Sequence, residues 1–95
     1  MMNEDARVGF ALVMSHVRRE RERQDEKWGD QSDHPAWIWN AILGEEVGEV
    51  SEELLEYKFG DHDMDDVYKE LIQVAAVAMA WADAINRDRK STRLN

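Results

Sequence analysis

The 95 residues predict an all-α fold, an antiparallel helical bundle of three main helices completed by oligomerisation. Three observations carry that reading. Apolar residues recur three and four apart in three long segments. No alternating strand pattern and no internal repeat interrupts them, and the turn signals Gly29 to Asp33 and Gly60-Asp61 fall between the segments.

The first helix is predicted from Asn3, a suitable N-cap, to about Trp28, with Glu4 and Asp5 in the first turn where the helix dipole favours acids. Phe10, Val13, Met14, Val17, Gln24 and Trp28 mark its apolar side, while Arg18 to Lys27 reads as a solvated, ion-paired surface. Pro35 suits the first turn of a second helix, which carries the stripe Trp39, Leu43, Val50 and Tyr57 to about Phe59 and stops at Gly60. The third starts around Asp63 to Asp65 and ends at about Asn86. From Leu71 to Ile85 its only polar side chains are Gln73 and Asp83. Two shorter neighbours cannot cover so apolar a helix, so a partner subunit is expected to. The whole is expected to be a single domain, residues 1–95, with 1–5 and 87–95 frayed.

Composition excludes several function classes. Without cysteine there is neither a disulfide framework nor thiol chemistry, and a reducing cytoplasm is permitted. The Leu71 to Ile85 run is too short and too interrupted to span a bilayer, and nothing at the N-terminus resembles a signal peptide, so a soluble, cytoplasmic protein with no membrane partner is expected. A net charge of −9 argues against a nucleic-acid duplex as partner, because neutralising phosphates needs a basic face. A single nucleotide held through a metal ion remains compatible with it.

The acids themselves suggest such a metal. Glu46 and Glu49 are i,i+3 and Glu45 and Glu49 are i,i+4, so all three project to one side of the second helix. If the chain turns at Gly60-Asp61, Glu49 and Glu70 both lie about 15 Å from the turn, and on antiparallel helices they are level. Glu70 falls among Val67, Val74, Val77 and Trp81, where a carboxylate must be paired, neutralised or metal-bound. Converging carboxylates repel unless a hard divalent cation lies between them, and Mg²⁺ that keeps some waters also binds substrate phosphates. Glu52, Glu53 and Glu56 read instead as a solvated face. Asp61, Asp63 and Asp65 alternate like a calcium loop but lack its glycine and final glutamate, so helix initiation explains them. No histidine follows a glutamate at the spacing a di-iron bundle needs.

The Glu45-Glu46-x-x-Glu49 element, the downstream Glu70-x-x-Gln73 element and the segment Glu20-Arg21-x-Arg23-Gln24-x-x-Lys27-Trp28-Gly29 together resemble the short, phage-type branch of the MazG-like all-α nucleoside triphosphate pyrophosphohydrolases. The likeness covers roughly Glu20 to Trp81. It implies hydrolysis of a (deoxy)nucleoside triphosphate to a monophosphate and pyrophosphate, with Mg²⁺ required and Mn²⁺ as a substitute. By position Glu46, Glu49 and Glu70 would be metal ligands, and Glu45 a further ligand or the group orienting the attacking water. Gln73 stands where that family usually has aspartate; its amide oxygen can ligate magnesium but brings no charge, which Asp66, one turn earlier, could partly offset. Arg23 and Lys27, i,i+4 on the first helix, are candidates for the outer phosphates, and Trp28 and Ile42 for the base. The resemblance sets a nucleoside triphosphate as the expected partner, and the apolar third helix predicts further copies of the chain, in a dimer or a dimer of dimers. The alternative is a non-catalytic helical oligomer, acting as a nucleotide-binding or protein-interaction regulator.

Overall fold

The structure is a computed structural model that describes the backbone of residues 1–94 and the side chains of residues 1–89. Its three helices are α1 (Glu4–Trp28), α2 (Ala36–Phe59) and α3 (Met64–Leu94), and the described residues contain no strand.

Local chemistry sets each boundary. Asn3 Oδ1 accepts a hydrogen bond from the Ala6 amide at 2.8 Å, capping α1 at the expected residue. Gly29 ends α1 with φ of 72°, a left-handed conformation that disfavours a side chain, and its N–H donates to the Asp25 carbonyl. Pro35 precedes the first residue of α2. Gly60 closes α2, and a Cβ there would lie 2.9 Å from the Glu56 carbonyl oxygen, so only glycine lets the chain turn so tightly. At the start of α3 the caps are reciprocal. Asp63 Oδ1 accepts from the amides of Asp65 and Asp66, and Asp66 Oδ2 accepts from the amide of Asp63. The alternating aspartates therefore initiate a helix, as their spacing predicts.

Helix α3 is the central element, with α1 and α2 packed on two of its sides and making no close backbone approach to each other. Consecutive helices run in opposite directions, so α1 lies parallel to α3. His16 meets Tyr68 near the start of α3, and Arg87 reaches Asp30 beyond the end of α1. The core is accordingly split in two. Val17 of α1 packs with Ile72 and Ala76, whereas Trp39 of α2 packs with Val77, Ala80 and Ala84, with Ile42, Leu43 and Trp81 against that cluster. The alanines let Trp39 reach the α3 backbone closely, which brings α2 near enough for its shorter side chains to meet those of α3.

Two expectations need correction. Helix α3 continues to Leu94 rather than ending at Asn86, because no glycine or proline follows and Arg87 pairs with Asp83 one turn back at 2.7 Å. Helix α1 starts at Glu4 behind its Asn3 cap, and Asn95 lies outside the described residues. Phe10, Val13, Trp28 and Tyr57 sit on predicted apolar faces yet are exposed, since none of the described residues covers those faces. Leu71, Met79 and Ile85 are likewise exposed on α3. Among the described residues, no helix is long and apolar enough to cross a membrane.

Candidate functional site

The antiparallel packing of α2 on α3 sets Glu49 and Glu70 level, as the distances from the turn require. Ligand-capable oxygens of Glu46, Glu49 and Glu70 all lie within 4.8 Å of one another, and each side chain is half-buried. Gln73, one turn beyond Glu70, completes the group. Its amide orientation is assigned from its neighbours: with nitrogen facing the acids, Nε2 lies 3.0 Å from Glu46 Oε2 and 3.3 Å from Glu70 Oε2 and donates to both.

Crowded acids cannot all ionise at their ordinary values. Burial pushes Glu70 up to about 7, helped by its hydrogen-bond contact with Glu49 and by the charges of Glu49, Glu46 and Glu53. Glu46 also rises, first through burial and then through the charges of Glu49 and Glu20. A site that holds a proton among facing carboxylates at neutral pH is one a divalent cation can occupy by displacing that proton. The donors are oxygens, with an amide oxygen available from Gln73 if the amide turns. That set suits magnesium or manganese. The fit rests on these donors and their mutual repulsion.

The remaining residues divide by position. Glu45 is exposed, outside the triad, and acts on Glu46 only through its charge. Arg23 is held by Glu20, its Nε at 2.8 Å from Oε1 and its Nη2 at 2.6 Å from Oε2, and it also feels Glu46. That pairing lowers the Glu20 carboxyl from its ordinary value. Lys27 stacks over Trp28 at 4.8 Å. Trp28 and Ile42 both line a cavity of about 350 Å³ enclosed by the end of α1, the loop after it, α2 and α3. Glu46 lies at the same wall, so the acidic group adjoins the cavity, whose lining mixes Trp28, Trp39 and Ile42 with Arg21, Asp25 and Arg87. Buried Gln24 and Trp39 complete that side, and the Trp39 indole N–H finds no acceptor among the described residues.

Two features of the site escape the sequence reading. Glu20 comes close enough to raise the Glu46 carboxyl, although it lies on α1, far from the acidic motifs in sequence. A second cavity of about 650 Å³ opens between α1 and the start of α3, with Arg19, Arg23, Lys69 and His16 around it and Gln73 and Glu20 at its wall. Helical spacing along one element cannot report which residues of another element it will meet. The basic residues of Arg18 to Lys27 are otherwise the surface their composition suggests: Arg18 pairs with Glu22 and Arg21 with Asp25, both i,i+4. Compared with protein-family models, with curated proteins and with solved structures, the chain matches none.

Proposed function

We propose that this protein is a Mg²⁺-dependent (deoxy)nucleoside triphosphate pyrophosphohydrolase of the MazG-like type, acting as a homo-oligomer. The observation that carries the reading is the convergence of Glu46, Glu49 and Glu70 from two helices within 4.8 Å, with Gln73 bridging two of them beside a cavity that Trp28, Trp39 and Ile42 help to line. A solvated acidic face would not keep its carboxylates half-buried against one another.

In this reading Glu46, Glu49 and Glu70 would hold the cation, and Gln73 would join them through its amide oxygen once its amide turns. A divalent ion bound there supplies charge to polarise the phosphoryl oxygens, to acidify a water and to neutralise the departing pyrophosphate. Glu45 orients the attacking water from the exposed side of Glu46. The water gives up a proton to solvent as its oxygen bonds to the α-phosphorus, and the bond from that phosphorus to the α,β-bridging oxygen breaks, so that oxygen leaves with pyrophosphate. Trp28 and Ile42 take the base against the cavity wall. Arg23 and Lys27 lend positive charge to the outer phosphates, joined by Arg19 and Lys69 around the second cavity.

The test is product analysis. Incubation with each nucleoside triphosphate and Mg²⁺ is expected to release monophosphate and pyrophosphate, and chelation is expected to stop it. Diphosphate with inorganic phosphate would point to different bond cleavage. No turnover of any triphosphate would favour the non-catalytic regulator instead.

A further inference from the structure

Two cavities flank the acidic group. Glu46 lines the first, of about 350 Å³, while Gln73 and Glu20 line the second, of about 650 Å³. The Gln73 amide reaches Glu46 at 3.0 Å, so one hydrogen-bonded pair separates the two spaces. Residues of α1 and α3 line both, and their order along α3 is fixed by the helix. Val77 and Ala80 belong to the first cavity and Gln73 stands at the boundary. Lys69 and Asp65, both of the second cavity, lie about 6 Å and about 12 Å further towards the start of the helix. A nucleotide with its base in the first cavity and its α-phosphorus at the acids therefore runs its remaining phosphates towards Lys69, Arg19 and Arg23.

The second cavity is larger than those phosphates need. It is nearly twice the volume of the space that takes the base, and the two together reach the upper end of the roughly 300–1,000 Å³ of ordinary ligand pockets. Its lining also changes with distance from the acids. Among the described residues Arg19 and Lys69 form no ion pair, in a chain whose Arg18, Arg21, Arg23 and Arg87 are all paired. Beside them stands Tyr68, with Asp65 furthest from the acids. The Tyr68 ring is 37% exposed and is held by His16, which meets it edge-on at 5.6 Å between centroids and hydrogen-bonds to its hydroxyl. A ring fixed in this way is a platform on which a base can stack. The Asp65 carboxylate repels a further phosphate but accepts hydrogen bonds from the N–H groups that bases carry. Cations close to the acids, then an aromatic ring and an acceptor, match a phosphate chain that ends in a second nucleoside.

We infer that the second cavity seats a second nucleoside, which makes dinucleoside polyphosphates, two nucleosides joined through a phosphate chain, the preferred ligands and, through the bond cleavage proposed above, the preferred substrates. The inference rests on that reading for its chemistry and on the two cavities for its selectivity. With a dinucleoside tetraphosphate, a water gives up a proton to solvent as its oxygen bonds to the α-phosphorus of the nucleoside in the first cavity. The bond from that phosphorus to its bridging oxygen breaks, and the oxygen leaves with the second nucleoside as a nucleoside triphosphate. The other product is a monophosphate.

The test uses the full chain with Mg²⁺, the dinucleoside tetraphosphates of adenosine, guanosine, cytidine and uridine, and the matching triphosphates. At least one tetraphosphate is expected to release monophosphate and triphosphate initially in equal amounts, with a KM about tenfold below that of its matching triphosphate, as the stacking of one further base gives. Binding is read apart from turnover by calorimetry on methylene-bridged analogues, in which carbon replaces the bridging oxygens beside the α-phosphorus, and the same tenfold preference is expected. Tyr68→Ala is expected to abolish the preference in both measurements while leaving the KM and kcat for the triphosphate within twofold, and Tyr68→Phe to retain it. Cleavage of triphosphates without tighter binding of the tetraphosphate analogues overturns the inference and leaves the proposed function standing. Two diphosphates as products, from a cut at the central bond, overturn it as well. So does UDP-glucose bound as tightly as the uridine tetraphosphate analogue, since the second cavity would then not select a nucleoside. Tighter binding of the analogues with no cleavage of any compound upholds the second nucleoside site and overturns the proposed chemistry instead.

Discussion

Gln73 stands between two carboxylates that would otherwise face each other unshielded, and its amide protons offset part of their repulsion while no cation is present. Replacing it with aspartate removes that donor and adds a fourth acid. Gln73→Asp is therefore expected to melt at a lower temperature than wild type in chelator, and to reach half-maximal activity at a lower Mg²⁺ concentration. If neither the melting temperature nor the metal dependence moves, Gln73 has no part in the site. Glu49→Gln and Glu70→Gln each remove a charge that the cation would balance, so turnover is expected to fall about a hundredfold or more with the helical fold retained. Near-normal activity in either would rule out the triad. These residues were legible in the sequence because i,i+3 spacing and equal distance from a turn are properties of the helix itself. Glu20 was not, since its approach to Glu46 depends on how α1 lies against α3.

Element boundaries followed the caps closely where a cap exists, and failed where the chain offers none. Asn3, Gly29, Gly60 and Asp63 each terminate a helix through a hydrogen bond or a backbone conformation that the residue type announces. Beyond Asn86 there is no such residue, and α3 simply continues. The apolar periodicity located helices α1 and α2 but overstated their burial, because periodicity reports that a face will be covered and not what covers it. Phe10 and Trp28 are exposed within the single chain for that reason. The Asp63 cap matters beyond its own helix, since it sets where α3 begins and hence which turn of α3 brings Glu70 to Glu49. Asp63→Ala is expected to cost about 1 kcal/mol, the usual loss for an N-cap. In a domain of this size that corresponds to a melting temperature lower by roughly 4–8 °C. A change below 1 °C would mean that the reciprocal Asp63–Asp66 hydrogen bonds carry no net stability.

For the molecule as a whole, the acidic group links folding to pH and, on the proposed function, to metal. The folded state holds Glu70 at about 7, above its ordinary 4.5, so between these values it keeps a proton that the unfolded chain releases. Its contribution to stability is therefore full below about 4.5 and is lost as pH rises through 7. Glu70→Gln cannot ionise and escapes the loss. In chelator the variant is thus expected to melt close to wild type at pH 5 and to become the more stable of the two by pH 8. Magnesium reverses the order at pH 8. The ionised Glu70 carboxylate becomes a ligand, and a cation that binds only the folded chain raises the wild-type melting temperature by mass action, more than it raises that of the variant. A net charge of −9 adds a general attraction for cations, which both proteins share almost equally, so the difference between them isolates the site. Parallel melting curves for the two proteins across pH 5 to 8, with and without Mg²⁺, would show that Glu70 is an ordinary surface acid and that its closeness to Glu46 and Glu49 has no consequence for binding.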